Sequence, residues 1–272
     1  MTLNVALDTG DTAVSGLHRT VLASLPARFR VTAGPSADVV LVSGSQPGWR
    51  RRAQAAAAAG AQAIMLAGTT ALTASALRAL AKESSITVAA TPAYAIGRAW
   101  TSAVPLLAAD IPGSAILDSA ITVPDPGTDE EEALRAALTE QVAVIHTLLP
   151  GLEFGTAHAA DRGYVLAGQA RGIAVTLAGT LAESHRLDLD LVSTGRHWHA
   201  SLFADALAFP ASISLSDADG GHVLAPVYES AHRAAWAALH DAICREAPLV
   251  YTADQLADDL AAAEAVFGPA RT

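Results

Sequence analysis

The chain has 272 residues, of which 51% are hydrophobic, so it can bury a large core, and its length favours two domains over one. It carries 17 Lys and Arg against 27 Asp and Glu, and the resulting net charge of −10 argues against nucleic acid or an anionic membrane surface as a partner. The single cysteine, Cys244, excludes an intrachain disulfide and a multi-cysteine metal site.

The N-terminal segment MTLNVALD is predicted to be a strand. It is not a signal peptide, because it lacks a basic region and a small-residue cleavage site. No apolar segment reaches the roughly 18 residues that a membrane span needs. We therefore expect a cytoplasmic protein.

The first 110 residues alternate between apolar runs and helical patterns. Strands are predicted at residues 3–7, 29–33, 37–42, 64–66 and 86–90, with helices around residues 17–25 and 46–59 and from Thr73 onward. The run ADVVLV is typical of a strand buried on both faces of a parallel sheet. This order predicts a doubly wound, Rossmann-like sheet, shortened because only a few residues separate the second and third strands.

The pattern changes after residue 112. A strand at residues 115–123 and an amphipathic helix at 131–149 precede a long stretch of period-two alternation, residues 154–227, which predicts an open, mainly antiparallel sheet. Helices at 229–245 and 252–267 close the chain, the second with a capping box of Thr252 and Gln255. The predicted domains are residues 1–112 and 113–272, the C-terminal helix being free to pack back on the first domain.

This order resembles the glucose-fructose oxidoreductase family (Gfo/Idh/MocA), in which a dinucleotide-binding domain precedes an α/β domain with an open sheet. The resemblance spans almost the whole chain and rests on serial order. The segments that carry it are ADVVLV, AGAQAIMLAGTTALTASALRALA, residues 29–33 and YTADQLADDLAAAEAVF.

The family's cofactor motifs are degraded at their matching positions. The glycine-rich phosphate fingerprint falls on Gly10, Thr12 and Ser15, so one glycine of three is present, although the hydroxyls can still donate to an anion. The lysine of the Glu-Lys-Pro motif falls on Gly68. The second strand runs into Gly34-Pro35-Ser36, without the acidic residue that holds the adenosine ribose. We expect no bound cofactor, with NAD(P) as the alternative.

The family's catalytic histidine falls on Gln141, whose amide cannot exchange protons near neutral pH. His146 lies on the same helix, with Glu140 on a neighbouring face, and is a candidate to act as the acid in place of the missing histidine. A histidine with a purely structural role would give the same sequence pattern.

The segment that follows the last strand of the first sheet contains three candidate ligand contacts. They are Tyr94, Arg98 and Trp100, which are expected to face the crevice between the domains. Arg98 is the preferred contact, and an arginine in an ion pair would look identical.

His197 and His199 lie on one face of a predicted strand and are weak candidates for a divalent metal, with His158 or His185 as a further ligand. A polar exposed or subunit-facing surface explains the same pattern, and no metal is expected.

The leading hypothesis is a degenerate family homologue that acts as a non-catalytic or repurposed subunit, in a homo- or hetero-oligomer formed through the open sheet, one candidate partner being an active oxidoreductase. Two alternatives stay open. One is an NAD(P)-dependent oxidoreductase of a sugar-like or other small carbonyl substrate. The other is a cofactor-free isomerase, dehydratase or cyclase.

Overall fold

The computed structural model describes residues 1–7, 10–33, 36–83, 86–111, 115–127, 129–203 and 209–270. Its elements run in the order β1 (Leu3–Ala6), α1 (Thr12–Ala23), β2 (Phe29–Val31), β3 (Val39–Ser43), α2 (Trp49–Ala58), β4 (Ala63–Ala67), α3 (Ala74–Glu83), β5 (Thr87–Ala90), α4 (Arg98–Ala109), β6 (Ile116–Pro124), α5 (Glu130–Leu148), β7 (Glu153–Ala160), β8 (Gly163–Ala170), β9 (Ile173–Ala182), β10 (Arg186–Ser193), β11 (Arg196–Phe203), β12 (Ser212–Asp217), β13 (Gly220–Val223), α6 (Ala231–Arg245) and α7 (Ala253–Phe267).

Two compact units divide the chain. The first holds the described residues within Met1–Pro92, Ala231–Glu264 and Gly268–Thr272, and the second those within Ala93–Ser230 and Ala265–Phe267. The predicted domain boundary between residues 112 and 113 lies outside the described residues and stays a prediction.

The first unit contains a five-stranded parallel sheet in the order β2-β1-β3-β4-β5. All five residues of β4 are buried, as expected for a strand with elements on both faces. Residues 32–38 link β2 to β3, which flank β1 on opposite sides. None of the described positions in that link, 32, 33 and 36–38, is helical. The predicted parallel, shortened sheet is confirmed.

The second unit contains an eight-stranded sheet in the order β13-β12-β11-β10-β6-β9-β8-β7, antiparallel except for the parallel pair β6 and β9. Alternation in β10 buries Leu187, Leu189 and Leu191 on the side covered by α5 and turns Asp188 and Asp190 to the other side. The predicted open, mainly antiparallel sheet is confirmed.

Helix ends show where local signals are decisive. The second helix begins at Trp49, three residues later than predicted. Gly48, directly before it, has a φ of 72°, and this left-handed conformation prevents the helix from including Gly48 and the residues before it. The capping box of α7 forms as predicted: Thr252 accepts from the Gln255 amide, and Gln255 accepts from the Thr252 amide. Within the described part of the chain, no helix is long and apolar enough to cross a membrane.

Candidate functional site

The turn after β1 is the point where a dinucleotide fold places the pyrophosphate, against the free amides of the following helix. Here Asp11 is the N-cap of α1, and its Oδ1 accepts a hydrogen bond of 3.0 Å from the Val14 amide. Its Oδ2 accepts one of 2.9 Å from the Ser43 hydroxyl, at the end of β3. The chain therefore puts its own carboxylate at this helix terminus.

The charge of Asp11 follows from these contacts. The hydrogen bond from Val14 lowers the pKa of the carboxyl group below its ordinary value, against partial desolvation, and hydrogen bonds from Ser43 and Gln46 lower it further. Asp11 is therefore a carboxylate throughout the physiological pH range. Residue Asp11 was missed by the sequence reasoning, although an aspartate directly before a helical pattern is an N-cap signal.

The predicted fingerprint residues surround this cap. Gly10 lies in the exposed turn, Thr12 is the first residue of α1, and Ser15 is on the buried face of the helix, 9% exposed. Their predicted part in phosphate binding stays a prediction.

Gly68 follows β4 with a φ of +74°, and a Cβ added to it would lie 2.1 Å from the Ser45 hydroxyl oxygen. The neighbouring loop is equally close, because a Cβ on Gly44 would lie 2.3 Å from the Gly68 carbonyl oxygen. Hydrogen bonds from the Gly44 amide to Ala67 and from the Ala71 amide to Gly44 join the two loops. Any side chain at position 68, a lysine included, would have to displace Ser45.

The guanidinium of Arg52 is the cation beside these loops. It donates to the carbonyl oxygens of Ser43 at 3.0 Å and Pro47 at 2.8 Å, with a longer contact of 3.4 Å to Gln46. These bonds hold it along the loop that follows β3.

In the second unit, Gln141 of α5 is fully buried and bonded to three strands. Its Nε2 donates to the Ser119 hydroxyl at 2.9 Å and the Ala178 carbonyl at 3.3 Å, and its Oε1 accepts from the Tyr164 hydroxyl at 2.9 Å. Burial raises the pKa of Tyr164 well above its ordinary value, so the phenol keeps the proton that it donates. The amide joins the helix to the sheet from inside the core.

The predicted acid candidates lie on the same helix. Oε2 of Glu140 accepts a hydrogen bond of 2.7 Å from the Ala93 amide, in the segment between β5 and α4. His146 is half-buried near the C-terminal end of α5. Their predicted catalytic roles stay predictions.

Of the predicted ligand contacts, two are core residues. Tyr94 is 2% exposed and meets His185 edge to face at 5.6 Å, and the Trp100 indole donates to the Thr147 hydroxyl at 2.7 Å. The Arg98 side chain is 68% exposed and lies 3.4 Å from the Glu229 carboxylate. Arg98 is thus the exposed member of this set, and its predicted role as a ligand contact stays a prediction.

His197 and His199 converge on an acid that the sequence did not identify. Asp190 Oδ1, on the neighbouring strand β10, lies 2.7 Å from His197 Nε2 and 2.9 Å from His199 Nδ1. Partial burial raises the pKa of Asp190, but hydrogen bonds from both imidazoles outweigh it and keep the pKa below its ordinary value. Within the described residues, no group of three or more His, Cys, Asp or Glu is arranged to hold a metal ion.

His199 Nε2 also lies 3.1 Å from the Ser201 hydroxyl, which gives a serine, histidine and aspartate in series. The Ser201 hydroxyl, however, donates to Asp188 at 2.6 Å and accepts from Arg186 at 3.1 Å. Because its proton is directed to a carboxylate and not to the imidazole, this series is a polar network of the sheet surface and not a nucleophile with its base.

No protein-family model matches the chain, and no curated protein matches it significantly. The chain does match solved structures. An oxidoreductase from Thermotoga maritima aligns with a TM-score of 0.77 at 14% identity, covering 99% of this chain and 97% of its own. Aldose-aldose oxidoreductase from Caulobacter crescentus gives 0.75 at 13% identity, with 100% and 98% covered. UDP-N-acetylglucosamine 3-dehydrogenase GnnA from Acidithiobacillus ferrooxidans gives 0.72 at 15% identity, with 98% and 97% covered.

At these identities the likeness establishes the fold and not the activity. It covers nearly the full length of both partners in each comparison. The resemblance predicted from serial order is confirmed at that level: the chain has the fold of the Gfo/Idh/MocA-type oxidoreductases.

Proposed function

We propose that this chain is a divergent Gfo/Idh/MocA-type homologue that does not bind NAD(P) and works as a non-catalytic or repurposed subunit. The observation that carries the proposal is the Asp11 carboxylate at the N-terminus of α1, bonded to Val14 and Ser43. A pyrophosphate would have to approach a fixed negative charge and compete with it for the same helix end.

The repulsion between a carboxylate and a phosphate can be compared with a binding free energy. At an effective dielectric constant of about 20, two unit charges about 4 Å apart repel by about 4 kcal/mol. This corresponds to roughly a thousandfold loss of affinity. Solvent reduces this repulsion at the partly exposed Asp11, but its direction opposes a bound pyrophosphate.

The position that the resemblance assigns to the cofactor-contacting lysine supports the same proposal. Gly68 supplies no ammonium, and Ser45 fills the space into which a side chain would extend. Arg52, the neighbouring cation, is bonded to carbonyl oxygens of its own loop.

The acidic residue that would hold the adenosine ribose is also missing from the sequence directly after β2. Asp38, the first described carboxylate after β2, precedes β3 and accepts from the Asn4 amide at 2.7 Å and the Gln62 side chain at 3.1 Å. Its position at the amino end of β3 is the opposite end of the strand from the one that dinucleotides approach.

An NAD(P)-dependent oxidoreductase is the second candidate, favoured by the full-length structural likeness to proteins that are named oxidoreductases. The two candidates differ in cofactor binding. Calorimetric and fluorescence titration of the full chain with NADH and NADPH separates them: we expect no saturation at about 1 mM. Micromolar saturation would favour the second candidate. The cytoplasmic location expected from the sequence stays a prediction.

A further inference from the structure

Helix α6 packs on the first unit through a cluster of aromatic rings. Trp236 is fully buried and meets Phe29 of β2 edge to face, with 5.2 Å between ring centroids, and His18 of α1 at 6.0 Å. His240 meets Phe29 at 5.5 Å, and His232 meets His18 at 5.1 Å. Three imidazoles therefore lie in the contact between one helix and the elements that support it.

Two of these imidazoles are hydrogen-bonded in opposite senses. The Trp236 indole donates to His18 Nδ1 at 2.8 Å, so this nitrogen carries no proton. Because an indole N–H can only donate, a proton on Nδ1 would set two donors against each other and break the bond. His240 instead donates from Nε2 to the Met1 carbonyl oxygen at 2.9 Å, which it can do in either protonation state. His18 is therefore the imidazole whose protonation weakens the attachment of α6.

The surroundings of His18 also oppose a positive charge. Its side chain is 1% exposed, and the ring of His232 faces it from α6. Burial, with a contribution from the charge of His232, lowers the pKa of His18 to about 3. The closed helix thus keeps His18 neutral.

The other charged groups around this contact keep their charge in mild acid. Arg28 pairs with Asp241 at 3.2 Å, and Arg233 donates to the Ser24 hydroxyl at 3.3 Å. Partial burial raises the pKa of Asp241, but the hydrogen bond from His240 and the charges of Arg28 and Arg245 keep it below its ordinary value. The arginines of α1 and β2 are exposed, namely Arg19 and Arg30.

We propose that α6 is a proton-operated latch, which separates from α1 and β2 in mild acid when His18 takes up a proton, while α7 stays in place. The chain on both sides of α6, residues 224–230 and 246–251, is neither helix nor strand, so the helix can move as a unit. Helix α7 has attachments of its own. Glu264 accepts from the Ala74 amide at 2.8 Å, and Thr252 forms a β-bridge with Ala89.

The direction and size of the effect follow from proton linkage. An opened α6 exposes His18, which then has the ordinary histidine pKa of 6.5, against about 3 in the closed helix. Above pH 6.5 neither state binds the proton, and the latch stays closed. As the pH falls from 7.5 to 5, the open population should rise about 30-fold. Opening would uncover Phe29 and Trp236, an apolar surface beside the edge strand β2.

Hydrogen exchange of the full chain, followed by mass spectrometry at pH 7.5 and 5, measures this opening once the rates are corrected for intrinsic exchange. We expect the α6 amides to be less protected than those of α7 at both pH values. Their protection should fall about 30-fold between the two. His18→Asn keeps an acceptor for Trp236 without a titrating ring, and should reduce this fall to less than about threefold. The matched control is His222→Asn, because His222 of β13 is 59% exposed and should leave the response of α6 unchanged.

Equal protection of α6 and α7 at pH 5 overturns the proposal, since α6 would then open only when the whole protein unfolds. A wild-type fall below about threefold, or a fall that persists in His18→Asn, overturns it as well. Circular dichroism identifies a variant that fails to fold, and the wild-type comparison of the two helices then decides. Cofactor titration is a separate measurement, so the latch and the proposed lack of NAD(P) binding can fail independently.

Discussion

The hydroxyl of Ser43 donates a hydrogen bond of 2.9 Å to the carboxylate of Asp11, and so joins the end of β3 to the first turn of α1. A dinucleotide phosphate would take this position between strand and helix end in an intact cofactor site. In this chain the Asp11 carboxylate lies between the end of β3 and the first turn of α1. If the proposal is correct, its effect should be visible both in stability and in anion binding.

Replacing Asp11 separates its two roles. Asp11→Ala should lower the free energy of unfolding by about 1–2 kcal/mol, because the Val14 amide loses its cap. Asp11→Ser keeps a capping oxygen without charge, so it should cost less than about 0.5 kcal/mol. It should also raise the affinity for inorganic pyrophosphate by at least about tenfold. Urea unfolding and calorimetry measure the two effects. Asp38→Asn is the control, because it removes the same charge elsewhere in the first unit. Equal pyrophosphate affinity of the wild type, Asp11→Ser and Asp38→Asn would contradict the account.

The contact between the loops after β3 and β4 should tolerate no side chain at Gly44. A Cβ there would lie 2.3 Å from the Gly68 carbonyl oxygen, which is backbone and cannot move aside alone. Gly44→Ala should therefore lower the unfolding free energy by about 2 kcal/mol or more. Gly16→Ala, where nothing lies within 4 Å of the added Cβ, should raise it by up to about 1 kcal/mol, because Gly16 lies inside α1. Chemical denaturation of both variants tests the contrast, and similar values would refute it.

The buried amide of Gln141 should depend on Tyr164. Tyr164→Phe removes the donor to Gln141 Oε1 and should cost about 1–3 kcal/mol, since it leaves a buried acceptor without that partner. Combining it with Gln141→Leu should cost less than the sum of the single variants, because both partners of the bond are then absent. A double-mutant cycle from thermal and urea unfolding measures the coupling. Strict additivity would show that this hydrogen bond does not contribute.

Stability should fall in mild acid because of His18. Burial lowers the pKa of this imidazole to about 3, with a contribution from His232, against 6.5 for an ordinary histidine. The unfolded chain therefore takes up a proton below pH 6.5 that the folded chain does not, and folding is weakened as pH falls from 6.5 toward 3. Between pH 7.5 and 5 the loss should be about 2 kcal/mol.

The control for this titration is His18→Asn, which keeps an acceptor for the Trp236 indole now bonded to His18 Nδ1 at 2.8 Å. The variant is expected to be less stable at pH 7.5 but to lose about 2 kcal/mol less on acidification. Parallel pH profiles for the two proteins would assign the acid sensitivity to other groups.

The order of elements could be read from the sequence because it depends on local patterns. Apolar runs such as residues 37–42 mark buried parallel strands, and the alternation of leucine and aspartate in residues 187–191 marks a sheet with one face covered. Both kinds of sheet were predicted correctly. The late start of α2 was missed because the left-handed conformation of Gly48 has no periodic signature.

The contacts at the site could not be predicted, because they depend on strand register and loop conformation. Asp11 and Ser43 are 32 residues apart, and Asp190 meets His199 only because their strands pair in this register. Ser45 and Gly68 meet through two loops whose turns no pattern specifies. Glu140 was named as a candidate catalytic residue beside His146, and its bond to the Ala93 amide, which depends on the packing of the segment before α4 against α5, could not be predicted.

The central claim is that a carboxylate of the chain itself now takes the place of the cofactor phosphates. Titration of the full wild-type chain with NADPH, followed by nicotinamide fluorescence and calorimetry, tests it most directly. We predict no saturable binding below about 1 mM. A dissociation constant in the micromolar range, with a stoichiometry of one per chain, would contradict the account.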